Sequence, residues 1–218
     1  GTTTSLTPYV IYDLMDCKVN LSSTAYTYSG SQFRPAVASV TYSSATDRDR
    51  KQTPGSGSTL NSSRYSVSYG ENIHCPSGTV SVSGNQDSSR TATTINGAVI
   101  GSTDVTFTIN KAKLTAPITL STSTPYINQT VTATLNNYTS ATAGSGKLAN
   151  LLRSSTKKAE GPVVTWSLQS STAGKITQIN GLQAKFLLTG NNSTNVQVRL
   201  SDMNDFEDCT TTYSVTPK

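Results

Sequence analysis

Cys17-Lys18-Val19-Asn20-Leu21-Ser22 sets three apolar residues alternating with three polar ones. That is the period of a strand with one buried face, because successive side chains on extended backbone point to opposite sides. Tyr26 and Tyr28 carry the alternation onward, and Gly30 breaks it. The same signal returns at 35–42, at 65–69, at 79–83 closed by Gly84-Asn85, and at Val105, Phe107 and Ile109. The polar run 43–63, with Asp47, Arg48, Asp49, Arg50, Lys51, Pro54 and two glycines, reads as a loop.

A second set of strand signals begins directly after 111–114, which reads as a joint with no long linker, so the two halves are expected to sit close together. Strand candidates follow at 118–120, 129–135, 163–168, 175–179, 184–188, 196–200 and 210–215. Between them, 139–161 reads as a long insertion. The spacing of Leu148, Leu151 and Leu152 predicts a short helix over 147–153.

The 218 residues suit two ordinary domains better than one large core. Ser and Thr make up about a third of the chain, while hydrophobic residues are 34% and charged residues 13%. A Thr/Val alternation punctuated by Gly and Asn favours strands over helices, and its order argues against disorder. The reading is all-β: two tandem immunoglobulin-like β-sandwich domains, with an N-terminal arm at 1–13, domain 1 at 14–113 and domain 2 at 114–218.

The first half resembles a bacterial Ig-like module of surface and secreted proteins. The resemblance runs through Cys17 to Leu21, then Tyr26-Thr27-Tyr28-Ser29-Gly30 and Pro35, then Tyr65-Ser66-Val67-Ser68-Tyr69-Gly70-Glu71-Asn72. It continues through 78–84 with Val80 and Val82, and through Gly101 to Phe107-Thr108-Ile109. It implies core tyrosines, turns at Gly30 and Gly84, and a turn capped by the Asn72 side chain. Val99 stands where the family usually has a tyrosine, and 43–63 and 85–96 are longer than usual. The second half is more loosely similar to bacterial Ig-like repeats of intimin-type and invasin-type adhesins and phage fibres, through Val164-Thr165-Trp166-Ser167 and 176–181. Trp166 is read as the core tryptophan of a central strand rather than a sugar-stacking platform.

Chemistry-bearing constellations are few. The one histidine, His74, adjoins Cys75, and neighbours on extended backbone diverge, so a Cys/His dyad is disfavoured and His74 reads as a polar loop residue. No nucleophile signature surrounds any serine, and no catalytic residue is assigned. Cys17, Cys75 and Cys209 lack zinc-site spacing; a Cys17–Cys75 bridge and buried thiols both stay open. Asp202, Asp205 and Asp208, with Asn204 and Glu207, are calcium candidates, against the plainer reading of a solvated turn between the last two strands.

The basic residues Arg48, Arg50, Lys51, Lys147, Arg153, Lys157 and Lys158 are candidate ligand-loop positions for an anionic glycan or wall polymer. The net charge of +5 is scattered and gives no nucleic-acid stripe. No stretch is long and apolar enough to insert in a membrane. Asn20, Asn61, Asn128, Asn137, Asn191 and Asn192 open Asn-x-Ser/Thr triplets at a frequency near chance for so Ser/Thr-rich a chain.

The resemblance implies a non-enzymatic structural or adhesive module of an extracellular surface protein that binds a protein or glycan on a cell surface, or other copies of itself, without a cofactor. The alternatives are a virion or filament subunit, displayed on a virion surface and docking through 6–14, and a carbohydrate-binding module.

Overall fold

The computed structural model describes residues 11–42, 58–85, 98–154 and 162–218. The chain divides into two compact units, Gly1–Tyr26 with Ser31–Ile109, and Thr27–Gly30 with Asn110–Lys218.

The first unit contains β1 (Ile11–Asp13), β2 (Lys18–Leu21), β3 (Ala25–Thr27), β4 (Val37–Tyr42), β5 (Ser58–Thr59), β6 (Tyr65–Tyr69), β7 (Ser77–Gly84), β8 (Ala98–Ile100) and β9 (Ser102–Asn110). One sheet runs β2-β4-β5 and another β3-β9-β7-β6, while β1 lies parallel to β8. Leu14, Val40, Tyr65, Val82 and Val99 form one buried cluster, joined by Tyr12, Cys17, Val19, Val37 and Leu60. Because both sheets contribute to it, the unit is a sandwich.

The alternation from Cys17 holds at Lys18, which is exposed, and Val19, half-buried toward the core, but a register shift between Asn20 and Leu21 interrupts it and leaves both of these half-buried. Two expectations change. Gly84 does not make a turn: it ends β7 within the ladder, and a Cβ there would run into the backbone of Val99 on β8. The arm expected at 1–13 is seated in its own unit from Ile11 onward, paired with β8, and Leu14 after it is fully buried. Residues 1–10 lie outside the described residues.

Asn72 caps a turn as expected. It is 6% exposed and holds a left-handed backbone with φ 52, which Asn tolerates better than other residues bearing a Cβ. Its Oδ1 accepts the Thr79 N–H at 2.8 Å, and its Nδ2 donates to the carbonyls of Thr79 at 3.0 Å and Phe33 at 3.1 Å. The Phe33 N–H in turn donates to the Asn72 carbonyl at 2.9 Å. One buried amide thus binds the start of β7 to the segment before β4.

The second unit contains β10 (Ile118–Leu120), β11 (Thr130–Leu135), β12 (Asn137–Ser140), β13 (Gly144–Lys147), α1 (Leu148–Ser154), β14 (Val163–Leu168), β15 (Gly174–Asn180), β16 (Gln183–Leu188), β17 (Thr194–Ser201) and β18 (Cys209–Val215). Its main sheets run β10-β11-β16-β15 and β14-β17-β18. Numbered by chain order as A, B, C, D, E, F and G, these are the A-B-E-D and C-F-G sheets of a constant-type immunoglobulin sandwich, with β12, β13 and α1 inserted between B and C. Beyond β10 the chain turns to the other sheet: Thr216 donates to Ser123 and Lys218 to Pro125, a parallel run beside the end of the last strand.

The core joins Val131, Ala133, Leu135, Phe186, Leu188, Val196, Val198, Leu200 and Trp166 across the two sheets. Each large apolar side chain so buried contributes about 1.5–3 kcal/mol. The short helix expected from the leucine spacing is α1, with Leu148 fully buried. The segment read as a joint belongs to this core. Ala112, Leu114, Ala116 and Ile118 are buried while the residues between them are exposed. Both units are immunoglobulin-like β-sandwiches, and the chain is all-β apart from short helical turns.

Candidate functional site

The acidic segment between β17 and β18 is a fastened loop rather than a freely solvated turn. Met203 and Phe206 are 6% and 4% exposed, and the Phe206 ring meets Tyr28 and Tyr138 edge-on at 5.4 and 5.8 Å. The Ala112 N–H donates to the Asp205 carbonyl at 2.9 Å, and the Glu207 N–H donates to the Ala112 carbonyl at 2.8 Å. Lys111 Nζ reaches the Met203 carbonyl at 2.7 Å. The alternation of small apolar residues from Ala112 onward is the signal that this loop had a docking strand.

Its calcium candidates have other partners. Asp208 accepts from Arg199 at 2.7 Å through Oδ2 and from the Asp202 N–H at 3.2 Å through Oδ1. The hydrogen bond from Arg199, helped by the Asp202 amide, holds the Asp208 carboxyl below the usual carboxylate range. Asp205 Oδ1 accepts from Asn204, and Asp202 takes a left-handed backbone with φ 62. Among the described residues, no three acidic, Cys or His side chains form a group fit to hold a metal ion.

Of the basic ligand-loop candidates, Lys147 ends β13 and is exposed, and Arg153 lies in α1. Arg48, Arg50, Lys51, Lys157 and Lys158 lie outside the described residues.

Trp166 is 5% exposed, packs in the core and donates its Nε1–H to the Gly181 carbonyl at 2.9 Å. Gly181 supplies that carbonyl from the turn between β15 and β16, with φ 56. The core role expected of the tryptophan therefore stands, but its strand is not central: β14 is the edge of β14-β17-β18, and β17 lies in the middle. An edge strand loses a hydrogen-bonding neighbour, not its inward face, so Trp166 stays buried.

His74 is partly exposed, with Nε2 4.0 Å from Glu71 Oε1. Cys17, Cys75 and Cys209 carry thiols, so the Cys17–Cys75 bridge is not formed. Burial first, then the neighbouring Asp16 and Asp13, push the Cys17 thiol up to about 11, which keeps it protonated and poorly nucleophilic. Burial also raises Cys209.

The outer face of β14-β17-β18 exposes Val163 at one end, and along the rest of it three amides close on one another. Asn195 Nδ2 donates to Gln169 Oε1 at 2.6 Å, and Gln169 Nε2 donates to Gln197 Oε1 at 3.0 Å. Thr165, Thr210 and Thr212 are exposed beside them.

No protein-family model matches the chain, and no curated protein matches it. Among solved structures it is similar to murine CEACAM1b at 9% identity and a TM-score of 0.31, over 93% of this chain and 98% of that one. It is similar to domains 4 and 5 of the S-layer protein SbsC at 9% identity and a TM-score of 0.28, over 92% and 96%. It is also similar to the extracellular cadherin domains 1–4 of protocadherin gamma B7, at 11% identity and a TM-score of 0.29, over 92% of this chain and 50% of that one. The fold assignment rests on the strand order and the shared cores given above.

Proposed function

We propose that the chain is a non-enzymatic structural or adhesive module of an extracellular surface protein, with two immunoglobulin-like domains in tandem. The observation that carries this reading is where its buried polar side chains and its Arg–Asp pair are engaged. Asn72, Trp166, Arg199 and Asp208 are all bonded to the protein's own backbone or to each other. Many outward strand positions carry hydroxyl or amide groups, as at Thr165, Thr210, Thr212, Gln178 and Gln183, with Val163 and Ile179 exposed among them, a surface suited to reversible recognition of a protein or glycan on a cell, or of another copy. Low affinity at one copy becomes useful binding when many copies are displayed together.

Sedimentation of the full chain over a wide concentration range, beside a chain lacking 1–10, tests the reading. The truncation spares β1 and Leu14, which the first core needs. Monomers in both forms support a display module. Oligomers that vanish on removal of 1–10 would replace it with a virion or filament subunit that assembles through its N-terminus.

A further inference from the structure

In the second unit, the pairing of β15 with β16 shifts register between Ile176 and Gln178, which is a β-bulge. Thr177 closes on the facing strand through its hydroxyl, which donates to the Lys185 carbonyl at 3.2 Å. A bulge re-aims a side chain. Here it sets Gln178 opposite Lys185, beside the Asn180–Gln183 pair. These four exposed residues, with Ala184 between them, line an open concavity of about 130 Å³.

Their side chains bond to no other described residue. The amides of the opposite sheet behave differently, since Gln169, Gln197 and Asn195 close on one another. Three side-chain amides and one ammonium are thus gathered on one patch with their hydrogen-bonding capacity unused.

We propose that this concavity binds an acidic saccharide, a hydroxyl-rich ring carrying a carboxylate. A primary amide offers two donors and an acceptor side by side, and ring hydroxyls on neighbouring carbons are each donor and acceptor, so the two match in pairs. The Lys185 ammonium supplies charge for the carboxylate, and no carboxylate lines the concavity to favour a cation instead. The space suits one ring and is open to solvent, so single-site binding is weak and display in many copies supplies avidity. This rests on the adhesive reading and names its partner's chemistry. The sedimentation test does not involve the concavity, so a monomer that ignores saccharides sinks this site alone.

The test is an amide-resolved NMR titration of the full chain with methyl glucuronide, methyl glucoside and sodium acetate. Saturable shifts confined to Gln178, Asn180, Gln183, Lys185 and their neighbours are expected with the glucuronide, at a Kd on the order of 1–10 mM. The glucoside should bind about 1.5-fold to fivefold more weakly, the range of an exposed charge pair, and acetate should not saturate the site. The double variant Asn180→Ala, Gln183→Ala should lose both sugars with its thermal melt unchanged, and Lys185→Gln should bind the two sugars equally. The proposal is overturned by absence of saturation at about 50 mM glucuronide, by shifts centred elsewhere, by acetate matching the glucuronide, or by Lys185→Gln retaining the preference.

Discussion

Replacing Asn72 separates three contributions that one residue makes to the first sandwich. Its side chain makes three hydrogen bonds, to the Thr79 N–H, the Thr79 carbonyl and the Phe33 carbonyl, at 6% exposure. At about 1 kcal/mol for each neutral bond, their loss costs about 3 kcal/mol. The backbone φ of 52 adds a further ~1 kcal/mol for a residue with a plain Cβ. Asn72→Ala should therefore destabilise by about 4 kcal/mol, and Asn72→Gly, free of the left-handed penalty, by about 3 kcal/mol. Asn72→Asp keeps the acceptor for Thr79 but turns a carboxylate oxygen toward two carbonyls. Burial and that repulsion raise its folded pKa above the unfolded value of about 3.9, so the folded state binds more protons. Stability is then fully present below about pH 3.9 and is lost as pH rises through the folded pKa. Guanidinium unfolding followed by far-UV circular dichroism, beside Trp166 fluorescence that reads only the second unit, supplies the measurement. A cost for Asn72→Ala under about 1 kcal/mol, a glycine variant worse than the alanine one, or an aspartate variant that gains stability toward pH 7 would refute the argument.

Trp166→Ala should cost about 3–5 kcal/mol by emptying the second core, while Trp166→Phe, which leaves the Gly181 carbonyl without its donor, should cost about 1–2 kcal/mol; an unchanged unfolding midpoint for the alanine variant would remove Trp166 from the core. Thr194 Oγ1 is buried with no hydrogen-bond partner among the described residues, so Thr194→Val should raise stability by about 1 kcal/mol, and a lower midpoint in urea would show that the hydroxyl is satisfied. With its thiol at about 11 rather than 9.0, Cys17 should be alkylated at pH 8 at least about tenfold more slowly in the native chain than in urea. Peptide mass spectrometry reads that rate, and equal rates in the two states would contradict the burial. Because the native thiol holds its proton longer, its contribution to stability is complete below pH 9.0 and declines as pH rises toward about 11.

Strands with one buried face were legible because alternation is visible in the residues themselves, as from Cys17 to Leu21 and from Gln183 to Leu188. The short strands were not. Ala98–Ile100 is buried at all three positions, so it shows no alternation, and Ile11–Asp13 sits in a run that also suits a free arm. The hairpin of β12 and β13 hid in a segment of Thr, Ser, Ala and Gly whose small side chains carry no hydrophobic period. At 110–119 the period was present, but its inward residues include two alanines and its outward ones two lysines, a composition equally natural to a linker.

The acidic run at 202–208 shows why candidate sites were harder to read than strands. Five oxygen-bearing side chains in seven residues suggest a cation by composition, yet whether they converge depends on residues far away in sequence. Arg199 takes one oxygen of Asp208, and Ala112 exchanges two backbone hydrogen bonds with the loop from across the unit. Phe206 sits between the rings of Tyr28 and Tyr138, which come from widely separated segments. The concavity beside Lys185 was hidden for the complementary reason. Gln178 reads in sequence as one position of a regular strand, and only the register shift in pairing with β16 brings it opposite Lys185. In both places the local chain supplies the chemistry and the pairing of distant strands decides whether it is engaged or left available.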